Sequence, residues 1–565
     1  SEIKKDIIQN SIYGVDIEKG AVDIARLRFW LSLIIEEDTP HALPNMDFKI
    51  MQGNSLLEQF EGVDISGISL NEQAKKKAKR GQTWEQVIAF DEQGSLDNIQ
   101  NAIREYYNTD DHDKKHNLRQ IINDNVRSYI IHLKGCTPEI KEKISNLPIP
   151  NDQFFLWHIY FKEVFDNGGF DIVIGNPPYF VYEGKNTGEL EALRKIEDYK
   201  IALGGKLNAY KLFLAHALKC LVKPSGINCF IFQNSFMADV QAANLRKYTL
   251  SNCQILSIDS FPERDNKKKR VFESVKMSVC IVVIRNENSN YPFIVNIWDD
   301  KYKSSGTQTC FTREEIESID STGLTIPRIT EEMKPIILKM LRSRAVSIQC
   351  NEGELNVTSH RPYFSTDKTL PVIMKGAGIQ RYYFTYQMSQ GSIEYLNERE
   401  YLNDFGDTDK SKHHMQRRIV MQGMTGANDK IRLIMTIVPE GMYLGHSCKY
   451  IMPINELPLE CILGIMNSKL ANAFFRCFST NSNVNGYEID NIPIPSFSSE
   501  QIVEMKENVS LILSKKRNDH QSDTSALEQE IDRLVYVLYG LTNKEVSIID
   551  PMERIVGNED ELFQN

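Results

Sequence analysis

The segment FDIVIGNPPYF, residues 170–180, decides the fold that this sequence predicts. Its first five residues are mostly apolar and predict a buried β-strand. A glycine ends the strand, and the turn Asn176–Tyr179 that follows is stiff because its two prolines fix φ and carry no N–H group. The Asn176 amide oxygen and the Pro177 carbonyl are both hydrogen-bond acceptors. A strand end with two acceptors and an aromatic ring suits a planar ligand that carries an amino group, such as adenine or cytosine.

This segment resembles the catalytic Asn-Pro-Pro-Tyr motif of amino-group DNA methyltransferases, chiefly those that methylate N6 of adenine. The resemblance implies that Asn176 and Pro177 orient the target amine toward the methyl group of S-adenosylmethionine, with Pro178 completing the motif. It also implies that Tyr179 stacks on a base that has left the duplex. Acceptors that favour the charge-developing form of the amine act mainly in the transition state. A simple turn is the alternative, but the apolar strand before it and the tyrosine after it favour the catalytic interpretation.

Length and composition limit the number of domains and the class of protein that this sequence can represent. With 565 residues and a hydrophobic fraction of 41%, the chain has room for roughly two to four globular domains. The net charge of −10 does not by itself indicate DNA binding, so any nucleic-acid surface must be a local cluster of cations. None of the ten cysteines forms a C-x-x-C pair, which favours reduced thiols in a cytoplasmic protein without a zinc site. No apolar run approaches a membrane span, and methyl transfer requires no metal.

A second strand end provides a candidate cofactor residue. Residues 12–17 predict a short strand that ends in an acid, and the pattern of residues 18–35 predicts a helix after it. In Rossmann-like folds such a carboxylate binds ribose hydroxyls, which makes Asp16 the candidate, although an aspartate here can also cap the helix. Residues 13–27 resemble the second motif of combined type II restriction–modification methyltransferases. The resemblance favours the ribose role and assigns Ile17 to the cofactor site as well.

A third strand-to-loop signal at residues 48–56 resembles the next motif of that family, which places a polar side chain near the cofactor adenine. The family usually has aspartate after the glycine, whereas this chain has Asn54. Its amide oxygen can still accept a hydrogen bond from an adenine amino group, but it contributes no charge. The resemblance therefore implies S-adenosylmethionine as the cofactor, with Asp16, Ile17 and Asn54 in its site.

Two parts of the family pattern are missing from this sequence. The glycine-rich loop that holds the methionine end of the cofactor would follow a strand upstream of Tyr13, and the twelve residues before Tyr13 are too few to build it. Nothing in the chain resembles the nuclease domain that combined enzymes carry further upstream. We therefore expect a C-terminal part of a longer enzyme, whose upstream nuclease and cofactor-motif segment is a partner of this chain.

Several later segments predict contacts with DNA. The polar residues 183–205 predict a loop that could close over an extruded base. By resemblance, Phe272 matches an aromatic that stacks on the other face of the target adenine, although a core position is about equally expected. Residues 375–383 resemble a recurrent element of target-recognition domains, and a basic loop follows at 410–418. The cations predicted to contact DNA are Lys267, Lys268, Lys269, Arg270, Lys375, Arg381, Arg417 and Arg418.

The sequence thus predicts an α/β fold in three parts. Residues 1–330 would form a Rossmann-like methyltransferase sheet that is incomplete at its N-terminus, with a helical insertion at 57–165. Residues 331–498 would form an α+β target-recognition domain that contacts base edges. Residues 499–565 would be a helical segment, since apolar positions recur at helical spacing in 499–516 and 526–539, where Gly540 provides a C-cap.

These features predict a site-specific adenine methyltransferase that acts on double-stranded DNA as part of a restriction–modification enzyme. One alternative is a DNA-recognition module that binds specifically but cannot hold the cofactor. Titration of S-adenosylmethionine against the chain separates these two. Another alternative, a phage-exclusion methyltransferase with similar motifs, differs mainly in its partners.

Overall fold

The computed structural model divides into two units by packing, residues 1–228 and 229–565. The division falls inside one long β-strand, and the domain boundaries predicted at 330 and 498 stay predictions. The described residues are 2–35, 45–65, 90–133, 135–182, 187–264, 266–288, 291–386, 392–426, 429–479 and 482–551.

The strands of the first unit are mostly short. They are β1 (Gly14–Asp16), β2 (Ile50–Gln52), β3 (Gln59–Phe60), β4 (Val63–Asp64), β5 (Phe170–Gly175) and β6 (Val222–Gln233), whose last residues belong to the second unit. β1 and β2 are parallel, with Gly14 opposite Ile50 and Asp16 opposite Gln52. β3 and β4 form an antiparallel hairpin, and β5 is hydrogen-bonded to β6. Within strand β6 the backbone departs from extended geometry at Ser225, whose φ is 61°.

Helices supply most of the core of the first unit. They are α1 (Glu2–Asn10), α2 (Lys19–Ile34), α3 (Phe90–Asn108), α4 (His112–Ile131), α5 (Pro138–Asn146), α6 (Trp157–Tyr160), α7 (Lys162–Asp166), α8 (Thr187–Lys195) and α9 (Ala209–His216). In α4, Leu118, Ile122 and Val126 recur at four-residue spacing and are buried. The predicted helix at 18–35 is confirmed by α2, and the strand before the Asn-Pro-Pro-Tyr turn is confirmed by β5. The predicted burial of this strand is wrong, because no residue of β5 is buried within the structure.

The prediction of a loop at residues 183–205 is wrong for most of this range. Helix α8 and a 3₁₀ turn at Glu197–Ala202 occupy its described residues, while 183–186 lie outside them. Leu193 is the only fully buried side chain among the described positions of α8. One buried leucine among polar residues is too weak a periodic signal to predict a helix.

A mixed sheet begins the second unit. Its strands are β7 (Gln254–Phe261), β8 (Val279–Arg285), β9 (Phe293–Trp298) and β10 (Ser304–Phe311), in the order β6-β8-β7-β9-β10. β7 is antiparallel to β8 and parallel to β9, and β10 is antiparallel to β9. Alternate residues of β8, Cys280, Val282 and Ile284, are fully buried, as expected for a strand with one face in a core. Parallel and antiparallel strands packed with helices confirm the predicted α/β class.

A second, smaller sheet lies further along the same unit, in the order β11-β20-β17-β18 with antiparallel neighbours. Short two-stranded pairs surround it. The strands are β11 (Cys350–Glu352), β12 (Phe364–Ser365), β13 (Ile373–Met374), β14 (Ile379–Gln380), β15 (Tyr383–Phe384), β16 (Tyr395–Leu396), β17 (Arg418–Gln422), β18 (Met435–Val438), β19 (Tyr443–Leu444) and β20 (Cys448–Ile451).

The helices of the second unit include both predicted C-terminal helices. They are α10 (Ser235–Ala238), α11 (Ala243–Asn252), α12 (Arg313–Ile319), α13 (Met333–Arg342), α14 (Glu398–Phe405), α15 (Asp409–Lys412), α16 (Leu459–Met466), α17 (Lys469–Phe478), α18 (Gly486–Asp490), α19 (Ser499–Asn518), α20 (Ser525–Leu538) and α21 (Asn543–Ile549). Ser498 and Gln501 form a capping box that starts α19. Gly540, with φ of 63°, follows α20 as predicted. Within the described residues no helix has the length and apolarity needed to cross a membrane.

Candidate active site

The predicted cofactor residues lie at one edge of the β1–β2 pair. Because the two strands are parallel, Asp16 at the end of β1 and the loop after β2 emerge on the same side. The Gly53 N–H donates to the Asp16 carbonyl at 2.9 Å, which ties the loop to the strand end. The exposed Asp16 carboxylate accepts a hydrogen bond from the Glu18 N–H at 2.8 Å. Helix α2 has Glu18 as its N-cap residue, so Asp16 braces the turn before the helix and is not its cap.

Asn54 has a charged neighbour that the sequence did not reveal. Its amide oxygen accepts from the Leu56 N–H at 3.1 Å, and its amide nitrogen donates to the Glu189 carboxylate on α8 at 3.4 Å. Glu189 also contacts Tyr182, and burial together with this carboxylate raises the pKa of Tyr182. Glu189 thus brings a negative charge beside the position where aspartate was expected. The two residues are 135 positions apart, and no local pattern links them.

Buried side chains hold the loop that contains Asn54. The Tyr199 hydroxyl donates to the Leu56 carbonyl at 2.7 Å and lies 3.1 Å from Nδ1 of His216. Since the single hydroxyl proton goes to the carbonyl, Nδ1 of His216 must carry a proton and donate to Tyr199. The other ring nitrogen, Nε2, is buried and has no partner among the described residues. Burial lowers the pKa of His216 to about 3, so the ring is neutral in the folded protein.

We expect the first unit to lose stability as the pH falls below 6.5 because of His216. The unfolded chain binds a proton at this residue near pH 6.5, whereas the folded protein does so only near pH 3. The free energy of unfolding should therefore fall by about 1.4 kcal/mol per pH unit across this window, or about 2 kcal/mol by pH 5. Urea unfolding of the wild type and of His216→Phe between pH 7.5 and 5 measures the difference in slope. His112→Gln, at an exposed histidine, should keep the wild-type slope; equal slopes in all three proteins would contradict the assignment.

The Asn-Pro-Pro-Tyr turn leaves its predicted acceptor accessible. Asn176 and Pro178 are exposed, Pro177 is buried and Tyr179 is half-buried. The buried proline anchors the turn, while the Asn176 side chain has no hydrogen-bond partner among the residues described. Asn176, Asp16 and Asn54 all belong to the first unit, and each ends or follows a strand there. Ile17, also assigned to the cofactor site, is 51% exposed.

Phe272 and the basic run before it belong to the second unit. Phe272 is half-buried, and its stacking role stays a prediction. Lys267 and Lys268 are exposed on a 3₁₀ turn, as a phosphate contact requires. Lys269 lies 3.4 Å from Asp300, and Arg270 donates to the backbone carbonyls of Arg264 and Glu273.

Two cations of the recurrent element at residues 375–383 form ion pairs with other side chains of the protein. Lys375 pairs with Glu394 at 2.8 Å. Arg381 donates to the Glu528 carboxylate at 2.6 Å and to the Asn467 carbonyl at 2.7 Å. The Arg381 guanidinium thus joins the β14–β15 hairpin to helices α16 and α20, so the structure assigns it a packing role rather than a DNA contact.

The prediction of a DNA contact is wrong for Arg418. Its side chain is fully buried and pairs at 2.7 Å with Glu354, which is buried as well. The guanidinium also lies over the Tyr450 ring, 4.5 Å from its centroid. Arg417, the preceding residue, is 54% exposed and pairs with Glu460 at 3.1 Å. Because Arg418 starts β17, its side chain points into the core, whereas the sequence shows only two adjacent cations.

The sequence of this chain is similar to that of known proteins. Residues 10–267 match the model of the Eco57I restriction-modification methylase family. A putative type II restriction enzyme and methyltransferase of Methanocaldococcus jannaschii is 25% identical over 95% of this chain and 49% of its own length. The Escherichia coli type II restriction enzyme and methyltransferase RM.Eco57I is 26% identical over 43% of this chain and 23% of its own length. The chain thus spans about half the length of the first relative and about a quarter of the second.

A solved structure covers much of the chain at low identity. The type IIL restriction-modification enzyme MmeI in complex with DNA superposes on 76% of this chain and 62% of its own, with a TM-score of 0.46 and 11% identity. The matched family segment, residues 10–267, contains Asp16, Asn54 and the Asn-Pro-Pro-Tyr turn. Residues 10–267, a little under half of the chain, are thus similar to restriction-modification methylases of the Eco57I family.

Proposed function

We propose that this chain is the methylation and target-recognition part of a combined restriction–modification enzyme. It would transfer a methyl group from S-adenosylmethionine to N6 of an extruded adenine in double-stranded DNA. The observation that carries the proposal is the exposed Asn176 amide at a strand end, on a turn anchored by the buried Pro177, within the matched family segment.

The turn itself supplies the chemistry that we propose. The Asn176 amide oxygen and the Pro177 carbonyl would accept the two amino hydrogens of adenine. That arrangement opposes delocalisation of the nitrogen lone pair into the ring and favours the charge that develops on nitrogen. The half-buried Tyr179 ring would stack on the extruded base, a contact worth about 1–3 kcal/mol. The amide and the carbonyl act on the reacting nitrogen, while the tyrosine holds the base.

The residues at the β1–β2 edge fit the proposed cofactor. Asp16 would offer its exposed carboxylate to ribose hydroxyls, and Asn54 with Glu189 would offer acceptors to an adenine amino group. When bound, S-adenosylmethionine supplies an electrophilic methyl group. The protein side chains in this proposal bind and orient; none needs to change its covalent state.

Methylation of a randomised duplex library tests the proposal. The full-length gene product would be incubated with S-adenosylmethionine and the library, and the modified bases would be located by sequencing. We expect N6-methyladenine within one short sequence context, set by base-edge contacts from residues between about 345 and 497. Methylation on cytosine, or none with a folded, cofactor-bound protein, would refute the adenine assignment.

Uncovered apolar surfaces in the first unit support the proposal of an upstream partner segment. On β5, Ile172 and Ile174 point to the same face and are 62% and 76% exposed. On α2, a stripe of aliphatic side chains is also about half exposed. Its members are Ile24, Leu27, Leu31 and Ile34. Burying such side chains stabilises a protein by about 1.5–3 kcal/mol each, so surfaces of this kind mark an interface. We propose that upstream residues of the same enzyme cover them and complete the cofactor site.

Hydrogen exchange tests whether an upstream segment covers β5 or whether the first unit is a domain on its own. Amides of β5 should exchange more slowly in the full-length protein than in the 565-residue chain, because an added neighbour protects an exposed strand. Amides of β8 in the second unit provide the internal control and should exchange at the same rate in both. Equal exchange of β5 in both proteins would contradict the partner segment.

The same surfaces favour a second candidate for the chain on its own, a DNA-recognition module that does not hold the cofactor. Isothermal titration of S-adenosylmethionine distinguishes the two. Tight binding by the 565-residue chain would support a complete enzyme core. DNA binding without cofactor binding would support the module.

A further inference from the structure

A cleft of about 380 Å³ in the second unit is lined by arginines from four separate segments. Arg264 follows β7, Arg328 precedes α13, Arg432 precedes β18 and Arg476 lies in the last turn of α17. None of these residues belongs to the basic runs that the sequence singled out. Two carboxylates also line the cleft, those of Glu263 and Asp299.

Two carboxylates offset part of the charge of the four guanidinium groups, and that of Glu263 acts on Arg432. Glu263 lies 3.6 Å from Lys276, and Asp299 lies 3.6 Å from Lys303, so each has a lysine counter-ion. Burial, with the charges of Arg264 and Arg476 acting in the same direction, lowers the pKa of Arg328. Like charges thus face one another across the cleft, and the guanidinium groups remain ionised at neutral pH because their ordinary pKa exceeds 12.

Some of these guanidinium donors lack an acceptor. Arg264 donates through Nε to the Asp299 carbonyl at 2.6 Å, and Arg432 donates through Nε to the Thr425 hydroxyl at 2.7 Å. Arg328 Nε is inaccessible to solvent and has no partner among the described residues. The exposed Arg476 side chain has no hydrogen bond or ion pair within the described part of the chain. A buried charged donor without an acceptor is unfavourable, and an anion bound beside it would offset this cost.

A second basic cavity extends the charged surface. It is about 360 Å³ in volume, shares Arg264 and Asp299 with the first cleft, and is also lined by Lys269, Lys303 and Asp300. Cations therefore follow one another from Arg476 to Lys303 along adjoining cavities. Such a track suits a polymer with evenly spaced anions, whereas a lone ion would occupy only one end.

We propose that this arginine cleft binds phosphate groups of the DNA backbone. The inference rests on the proposed function, because it assigns the DNA-holding role to a surface of the same protein. Guanidinium groups present paired N–H donors that match phosphate oxygens. The exposed Arg476 would provide such donors, whereas Arg432 is 2% exposed and would contribute only its charge. The contact would carry no sequence information and would set the register in which bases are read.

Salt-dependent DNA binding tests the cleft. We would measure fluorescence anisotropy of a labelled 30-bp duplex with the 565-residue chain at 50–300 mM KCl. Arg476→Gln and Arg328→Met should each raise Kd about tenfold at 150 mM salt and lower the slope of log K against log salt by about 1. Arg517→Gln, at an exposed arginine near the end of α19, provides the matched control and should leave both values unchanged. Arg476 is exposed, so its replacement should leave the melting temperature unchanged even if Arg328→Met lowers it.

Unchanged Kd and slope in both cleft variants would overturn the proposal, as would a wild-type chain that binds no duplex. The cleft could instead be a site for a small anion. In that case 10 mM inorganic phosphate would raise the melting temperature, both substitutions would abolish this rise, and DNA affinity would stay intact; this result would also overturn the proposal. The library experiment keeps the two proposals apart. Arginine-dependent DNA binding without methylation by the full-length protein would refute the enzyme and retain the cleft, whereas methylation with arginine-independent binding would do the reverse.

Discussion

Replacing Asn176 by alanine in the full-length protein is expected to lower the rate of methyl transfer by about 10²–10³-fold, the usual effect of losing one preorganised transition-state contact. The side chain is exposed and has no hydrogen-bond partner in the described part of the chain, so its removal leaves no buried group unsatisfied. The melting temperature and the Kd for S-adenosylmethionine should therefore stay at wild-type values. Single-turnover transfer of a tritiated methyl group to duplex DNA measures the rate without a contribution from product release.

Asn176→Asp provides the conservative comparison. Aspartate keeps an acceptor oxygen at the same position but removes the amide N–H donors, so we expect an intermediate rate. The order asparagine, aspartate, alanine would indicate that the acceptor is the functional group. An alanine variant within threefold of the wild type would remove Asn176 from the mechanism, and a loss explained by weaker DNA binding alone would make it a binding residue.

Breaking the buried Arg418–Glu354 pair should have the largest effect on stability. Arg418→Met leaves the Glu354 carboxylate without its partner at a position where both side chains are fully buried. We expect a loss of about 3–5 kcal/mol and a fall in melting temperature on the order of 10 °C. Thermal unfolding followed by near-ultraviolet circular dichroism measures this change.

The neighbouring residue gives a matched control. Arg417→Met removes the same charge from a largely exposed side chain paired with Glu460, and should cost less than about 1 kcal/mol. The double variant Arg418→Met, Glu354→Leu removes both buried charges and should regain most of the lost stability. If Arg418→Met were as stable as Arg417→Met and instead bound DNA weakly, the original prediction of a DNA contact would be correct.

Local patterns in the sequence were sufficient for the strand ends and the long helices. The apolar run before Asn176 and the helical periodicity after Asp16 each act over a few residues, and the structure has β5 and α2 at these places. The two C-terminal helices were predictable for the same reason, since capping and periodicity are properties of neighbouring residues. The candidate turn could be found because two consecutive prolines restrict the backbone whatever surrounds them.

Tertiary structure alone decided which charged residues are available to a ligand. Arg418 and Glu354 are 64 positions apart, and only folding shows that they neutralise each other inside a core. Glu189 reaches Asn54 across 135 positions, from a helix whose single buried leucine gave no periodic signal. The arginine cleft combines four segments between residues 264 and 476 that share no motif. Backbone conformation depends on near neighbours and is therefore written locally, whereas burial and ion pairing depend on distant partners and are set only when the chain packs.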